Sequence, residues 1–386
     1  MSKDREGAGF EPPPYPYDRL TEIQQLAASH DGGAINLSVG VPCDPPPESV
    51  LAAIGGSGTE RSYPASIGTL EFRQAAAGWL SRLLASGNPS PLLSSDDVRA
   101  TIGSKEFVAG LPHWLHLRQP SKDTVLYPAI SYPSYAMGAE LAGCRAVPVS
   151  VDQDWRIDLS TVSDEDVERA LCLWVNTPSN PTGALDDLVD IAAWGREHDV
   201  LVVSDECYIE FTWLGSPRSI LAASHASGDN FEGLLAVHSL SKRSNLAGAR
   251  SGFYAGDPDW LHYLSEVRKH AGFMPPGPTQ AAAIAAFDDT AGVVQQRQRY
   301  HGRLTKMIDV LARLGADVEM PEGGFYLWAE APDGDAWGFA KKLASDAGVV
   351  VSPGEFYGAA GESHIRLAVV QPDDRLDLVA ERLGFE

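Results

Sequence analysis

The stretch SLSKRSNLAGAR, residues 239–250, sets Lys242 among small and hydroxyl-bearing side chains directly after an apolar run and closes on Arg250. A lysine on its own is ordinarily a solvated surface residue. In this company its amine can condense with a carbonyl to a Schiff base, the small neighbours let a phosphate approach backbone and hydroxyls, and the arginine offers planar, bidentate countercharge. SDECY, residues 204–208, ends another apolar run with Asp205 and Tyr208. A carboxylate at a strand end can pair with a protonated ring nitrogen, and the phenol can donate to a neighbouring oxygen. Either residue alone is more often a strand cap or a core-edge ring, and it is Lys242 nearby in the sequence pattern that favours the chemical role.

Three more segments carry chemistry. NTPSNPTG, residues 176–183, concentrates turn formers between a strand and a helix, so a purely structural turn stays open for Asn180. In GSK, residues 103–105, a strand gives way to a helix whose free N–H groups and dipole suit a phosphate at Ser104 and Lys105. HIRLAVV places Arg366 in an apolar strand, where a guanidinium without a partner is costly.

These residues need a scaffold, and the apolar runs supply one. Strand candidates VRATIG (98–103), DTVLYP (123–128), LCLWVN (171–176), VLVVSD (200–205) and LLAVHS (234–239) alternate with helix-length segments such as KEFVAGLPHWLHL, SYAMGAELAG and ALDDLVDIAAWGREHD. That alternation predicts a parallel α/β sheet. Ligands of such sheets sit outside the carboxyl ends of the strands, which here are Gly103, Asn176, Asp205 and Ser239. From about residue 290 a long charged helix precedes strand-like VEMPEGGFYLWAE and HIRLAVV, a smaller α+β unit that the N-terminal arm is expected to complete. The proline clusters at 12–16 and 42–47 read as connectors.

A chain of 386 residues exceeds the usual single domain. Its composition, 44% hydrophobic and 21% charged, is that of a globular protein. Thirty basic against fifty-two acidic side chains, a formal charge of −22, argue against a nucleic-acid partner and otherwise suit a solvated surface. Cys43, Cys144, Cys172 and Cys207 lack zinc-like spacing, and no metal is expected. The N-terminus has no apolar signal core and no run reaches membrane-spanning length, so a cytoplasmic protein without a membrane partner is expected.

Residues 239–250 resemble the lysine signature of class I/II aminotransferases, matching at Ser239, Ser241, Lys242, Leu246 and Arg250 and just beyond at Gly252, with Ser251 departing from the usual small apolar residue. NTPSNPTG resembles the family's N-P-x-N-P-T-G with Thr177 inserted, and YPASIGTLEFRQA resembles its Y-x-x-x-x-G-x-x-x-[LF]-R segment. The resemblance runs from Gly40 to Arg366 with the motifs in the family's order. It implies fold-type I architecture, an α/β large domain with a mostly parallel sheet at 46–285, and a small α+β domain made of residues 286–386 and the arm 1–45.

It also implies pyridoxal 5'-phosphate (PLP) on Lys242, Asp205 on the ring nitrogen, and Tyr208 and Asn180 on the phenolic oxygen. Ser104, the Lys105 backbone, Ser239, Ser241 and Arg250 would surround the phosphate. Tyr132 would cover the ring, with core packing as its alternative. Arg366, with Asn180 nearby and a Gly40 backbone contact beside it, would clamp the substrate α-carboxylate. Tyr63 would reach the phosphate of a partner subunit, implying a homodimer with shared sites.

Within the family, PYDRL, NLSVGVPCDPPP, SKRSNLAGAR and SDECYIEF look most like succinyldiaminopimelate aminotransferases of lysine and diaminopimelate biosynthesis. The expected reaction moves an amino group between glutamate/2-oxoglutarate and N-succinyl-LL-2,6-diaminopimelate. Transamination of aspartate, alanine or aromatic amino acids and PLP-dependent C–S β-lysis are the alternatives. A PLP-binding regulator is more remote, for want of a DNA-reading domain ahead of residue 46. Arg268 and Lys269 are the nearest basic candidates for a distal carboxylate, with a solvated helix face as the alternative.

Overall fold

The computed structural model describes residues 10–85, 93–222 and 230–385; residues 1–9 of the expected arm lie outside them. The strands, in chain order, are β1 (Ile35–Asn36), β2 (Val98–Thr101), β3 (Thr124–Pro128), β4 (Arg145–Val149), β5 (Ala170–Asn176), β6 (Leu201–Asp205), β7 (Leu234–Ser239), β8 (Gly252–Gly256), β9 (Tyr326–Glu330), β10 (Val349–Val350), β11 (Ser352–Pro353) and β12 (His364–Ala368). Seven of them form one sheet in the order β2-β8-β7-β6-β5-β3-β4. Only β8 runs antiparallel to its neighbours β2 and β7.

Every residue of β5, β6 and β7 is buried, as a parallel sheet covered on both faces requires. Alternate side chains serve the two faces. Leu173, Val175, Val202 and Ala236 pack with Phe72, Trp79 and Leu80 of the helix Leu70–Leu84. Trp174, Val203 and Val237 pack with Phe107, Val108 and Leu111 of the helix Ser104–Arg118. Each such side chain, fully buried, contributes roughly 1.5–3 kcal/mol, and together they fix the height at which the polar strand ends emerge. Those ends are in register, Asn176 opposite Asp205 and Ser239 opposite Gly252.

The segment Leu20–Leu37 shares a core with Leu304, Met307 and Leu311 of the helix Thr290–Arg313 and with Ile365 and Leu367 of β12. There β11, β12 and β9 form an antiparallel sheet, and β1 pairs in parallel with β10. Two elements depart most from the sequence pattern, both by shortening. The helix expected from Ala184 begins at Leu188, because Asp187 stays extended and its carboxylate accepts from the N–H groups of Val189 and Asp190. The strand expected across 318–330 is confined to Tyr326–Glu330, with Pro321 and the positive-φ Gly324 before it.

Candidate active site

The carboxyl ends of β5, β6 and β7 and the start of the helix Ser104–Arg118 converge on a cavity of about 410 Å³. Asn176 ties the turn to the strand end: its Nδ2 donates to the Asp205 carbonyl at 2.7 Å and its Oδ1 accepts from Asn180 N at 2.8 Å. The Asp205 carboxylate accepts from Tyr135 Oη at 3.0 Å and Cys207 N at 3.3 Å. Burial raises its pKa against those bonds and against the charge of Lys242. A buried carboxylate whose bonded partners are both neutral is the complement of a protonated ring nitrogen.

Lys242 lies on the short helix Leu240–Arg243, which the Ser239 hydroxyl caps by accepting from Ser241 N at 3.1 Å. Its amine donates to the Gly40 carbonyl. Burial first, and then the positive charges of Arg366 and Arg250, push its pKa down to about 8. A Schiff-base nucleophile needs that shift, since only the neutral amine attacks.

One end of the cavity suits a phosphate. Gly103, at φ 74, precedes the helix, and a Cβ there would overlap the Arg250 guanidinium. Glycine therefore lets Arg250 lie against the helix start, where backbone N–H groups and the Ser104, Ser239 and Ser241 hydroxyls gather. Arg250 takes a left-handed backbone conformation and bonds the Ala247 carbonyl through Nη1 at 2.8 Å. Cys207 Sγ donates to Ser104 Oγ at 3.3 Å.

The other end suits a carboxylate. Arg366 is 2% exposed; Nη1 donates to Asn180 Oδ1 at 2.8 Å, and Nη2 to the Ser38 carbonyl and, at 3.4 Å, to Tyr17 Oη. Its guanidinium lies 4.2 Å from the ring centre of Tyr326, and its buried Nε has no partner among the described residues. Nearby, Lys105 Nζ stands 5.6 Å from the ring centre of Tyr15 and 5.8 Å from that of Tyr132, without a carboxylate partner among the described residues.

Lys242, Asp205, Tyr208, Ser104, Lys105, Tyr132, Asn180, Ser239, Ser241, Arg250, Gly40 and Arg366 all line this cavity. Tyr63 does not; it is 95% exposed on this chain. The distal-carboxylate candidates are corrected. Arg268 is buried and bonded through both Nη atoms to Glu106, at 3.1 and 2.6 Å, while Lys269 pairs with Glu266 at the surface. Neither lines the cavity, because a buried guanidinium needs its countercharge at home. Sequence reasoning missed Tyr15, Tyr17, Tyr135, Cys207 and Tyr326. Cys207 sits inside SDECY and Tyr135 inside the helix-length segment SYAMGAELAG, whereas Tyr15 and Tyr17 fall in and beside a proline cluster read as a connector.

The family model described as Aminotransferase class I and II matches residues 33–383, and the chain belongs to that family. It is accordingly a PLP-dependent aminotransferase of fold type I. It is 40% identical to the 4-dedimethylamino-4-oxo-anhydrotetracycline transaminase OxyQ of Streptomyces rimosus, over 96% of this chain and 99% of that one. It is 32% identical to the LL-diaminopimelate aminotransferase of Syntrophobacter fumaroxidans over 96% of each. Among solved structures, a probable N-succinyldiaminopimelate aminotransferase from Thermus thermophilus superposes with a TM-score of 0.82 at 29% identity, covering 95% of this chain and 98% of that one.

Proposed function

We propose that the cavity carries out amino-group transfer between glutamate/2-oxoglutarate and N-succinyl-LL-2,6-diaminopimelate, with each lining residue in the role its surroundings favour. When bound, PLP supplies an electron sink for the charge left on a deprotonated amino-acid α-carbon. Lys242 would hold it covalently, and the same amine would move the proton at that carbon, a task its lowered pKa favours. Asp205 keeps the ring nitrogen protonated, Tyr208 and Asn180 hold the phenolic oxygen, and Tyr132 covers the ring. Ser104, Lys105 N, Ser239, Ser241 and Arg250 hold the phosphate. Arg366, steered by Asn180 and the Ser38 carbonyl beside Gly40, takes the α-carboxylate edge-on.

The observation that carries the substrate reading is the pair of cations in one cavity, Arg366 and the Lys105 side chain, neither with a carboxylate partner among the described residues. A keto acid with a carboxylate at each end satisfies both, and the diaminopimelate-acting relatives support that chemistry. One observation favours a second reading: the higher identity, 40% against 32%, is to a transaminase named for a polycyclic ketone. Tyr15 and Tyr132 would offer such a ring system aromatic walls.

Comparative kcat/KM with 2-oxoglutarate for succinylated diaminopimelate, unblocked diaminopimelate, aspartate, alanine and phenylalanine tests the first reading. A tenfold win for an aromatic or short substrate, about 1.4 kcal/mol in transition-state binding, would remove it and leave the aminotransferase standing. The same proposal includes a homodimer in which Tyr63 serves the partner's phosphate site, a large domain at 46–285, and a cytoplasmic location. Its four cysteines are all free, and among the described residues no helix is long and apolar enough to cross a membrane.

A further inference from the structure

We propose that Tyr326 is a positioning residue that couples the carboxylate clamp to the lysine and phenol at the centre of the site, an inference that rests on the roles assigned above. Tyr326 opens β9 and is 1% exposed, so its ring and hydroxyl are held among fixed neighbours. Three of those neighbours come from segments that each carry a site residue.

The ring face lies under Arg366, with the guanidinium carbon 4.2 Å from the ring centre. This contact sets the plane of the guanidinium, and the plane decides whether a carboxylate can be met edge-on by two N–H groups. The hydroxyl stands 2.8 Å from Tyr208 Oη. It also occupies the space a Cβ on Gly40 would need. Gly40 is thus a glycine because Tyr326 is beside it, and the Gly40 carbonyl in turn accepts from the Lys242 amine.

The bond between the two phenols holds one proton. Burial raises both pKa values, Tyr326 to about 12 and Tyr208 well above its ordinary value, so both are neutral at working pH. If Tyr208 is to donate into the cavity, its oxygen must accept from Tyr326, and accepting strengthens its own O–H as a donor. Tyr326 therefore acts on the cofactor's oxygen through Tyr208 and on the substrate's carboxylate through Arg366.

The two halves of the side chain separate by substitution. Tyr326→Phe keeps the ring and loses the proton, and Tyr326→Leu loses both. In Tyr326→Phe the pH midpoint of the bound cofactor's visible absorbance should move up, because the charged oxygen loses part of its hydrogen-bond support and the neighbouring proton is held more tightly. Turnover should fall about tenfold while the KM values of amino and keto substrates stay within about twofold. Tyr326→Leu should add a rise of about tenfold in both KM values together.

A second arm guards against a merely structural effect. On a Tyr208→Phe background, Tyr326→Phe should produce no further midpoint shift, since the path runs through the missing oxygen. An unshifted midpoint in Tyr326→Phe, an equal shift with and without the Tyr208 hydroxyl, or equal KM changes in the Phe and Leu variants overturns the inference. Failure of the underlying site reading looks different: wild-type protein would then carry its reducible cofactor link on a lysine other than Lys242.

Discussion

The two ends of the cavity are built in opposite ways. The phosphate end comes from two short contiguous stretches, Gly103–Lys105 and Ser239–Arg250, fixed to neighbouring strand ends of one sheet. The carboxylate end is assembled from far apart. Arg366 reaches across 186 residues to Asn180, 328 to Ser38 and 349 to Tyr17. The first end is as rigid as the sheet beneath it. The second depends on how the segment Leu20–Leu37 seats against β12, and it can be lost without loss of the cofactor site.

Lys242 stands between the ends, and its removal should have the largest effect. Lys242→Ala is expected to cut transamination by about 10³-fold or more, the scale of a lost general acid–base group together with the covalent link. Borohydride reduction of the wild type and peptide mapping should place the adduct on Lys242, and an adduct elsewhere sinks the assignment. The apoenzyme gives an independent reading. With the amine's pKa at about 8 instead of 10.5, PLP uptake should speed up as pH rises towards 8 and level off above it. Uptake still climbing steeply past pH 9 would mean that the amine is not desolvated.

The next effect is smaller and tests the comparison itself. Arg250→Lys and Arg366→Lys each exchange a planar fork for a point charge, so each should cost about 10- to 100-fold at its own end. Arg250→Lys should weaken PLP and leave pyridoxal, which lacks the phosphate, unaffected. Arg366→Lys should raise the KM of both substrates and leave PLP affinity alone. Equilibrium titrations of apoenzyme with PLP and pyridoxal, beside steady-state kinetics, decide between separate ends and one cooperative unit. Loss of PLP in Arg366→Lys would favour the latter.

What the sequence revealed follows the same division. The strands β5, β6 and β7 are plain apolar runs ending in a polar residue, β2 and β3 were legible as shorter apolar segments ahead of helices, and the phosphate end was legible because its residues lie within a few positions of one another. β8, GFYAG, and β4, RAVPV, carry glycine or proline and little periodicity, so they went unread. Arg366 was legible as a charge in an apolar strand. Tyr17 and Tyr326 carry no such anomaly, since a tyrosine in a strand or beside prolines is ordinary, and only long-range packing turns them into site residues. Arg268 misled because its carboxylate, Glu106, comes from a distant helix.

The smallest effect expected concerns the reverse side of the same strand ends. Glu206 follows Asp205 and His238 precedes Ser239, and both are buried, with Glu206 Oε2 3.3 Å from His238 Nε2. Burial raises Glu206 to about 8 and lowers His238 to about 3, so the pair is neutral across the working range. The Glu206 contribution to stability is fully present below its ordinary 4.5 and is lost as pH rises through about 8, because the folded state holds a proton the unfolded state releases. His238 acts in the opposite sense: its contribution is present above 6.5 and lost as pH falls through about 3. Between 4.5 and 6.5 the two slopes oppose each other, and between 6.5 and 8 only the decline from Glu206 remains, at most about 1.4 kcal/mol per pH unit. Glu206→Gln keeps an oxygen for the Ile220 N–H, which Glu206 Oε1 accepts at 2.8 Å, and has nothing to titrate. The His238 contribution is common to both proteins, so the variant should gain stability relative to wild type from about pH 4.5 to about pH 8, the window set by the Glu206 shift. Urea unfolding of both proteins at each pH, with PLP saturating, measures the difference with the cofactor's own pH dependence cancelled. A difference that stays constant across the window would mean that Glu206 is ionised in the folded protein and that a buried ion pair, not a neutral one, supports the strand ends from behind.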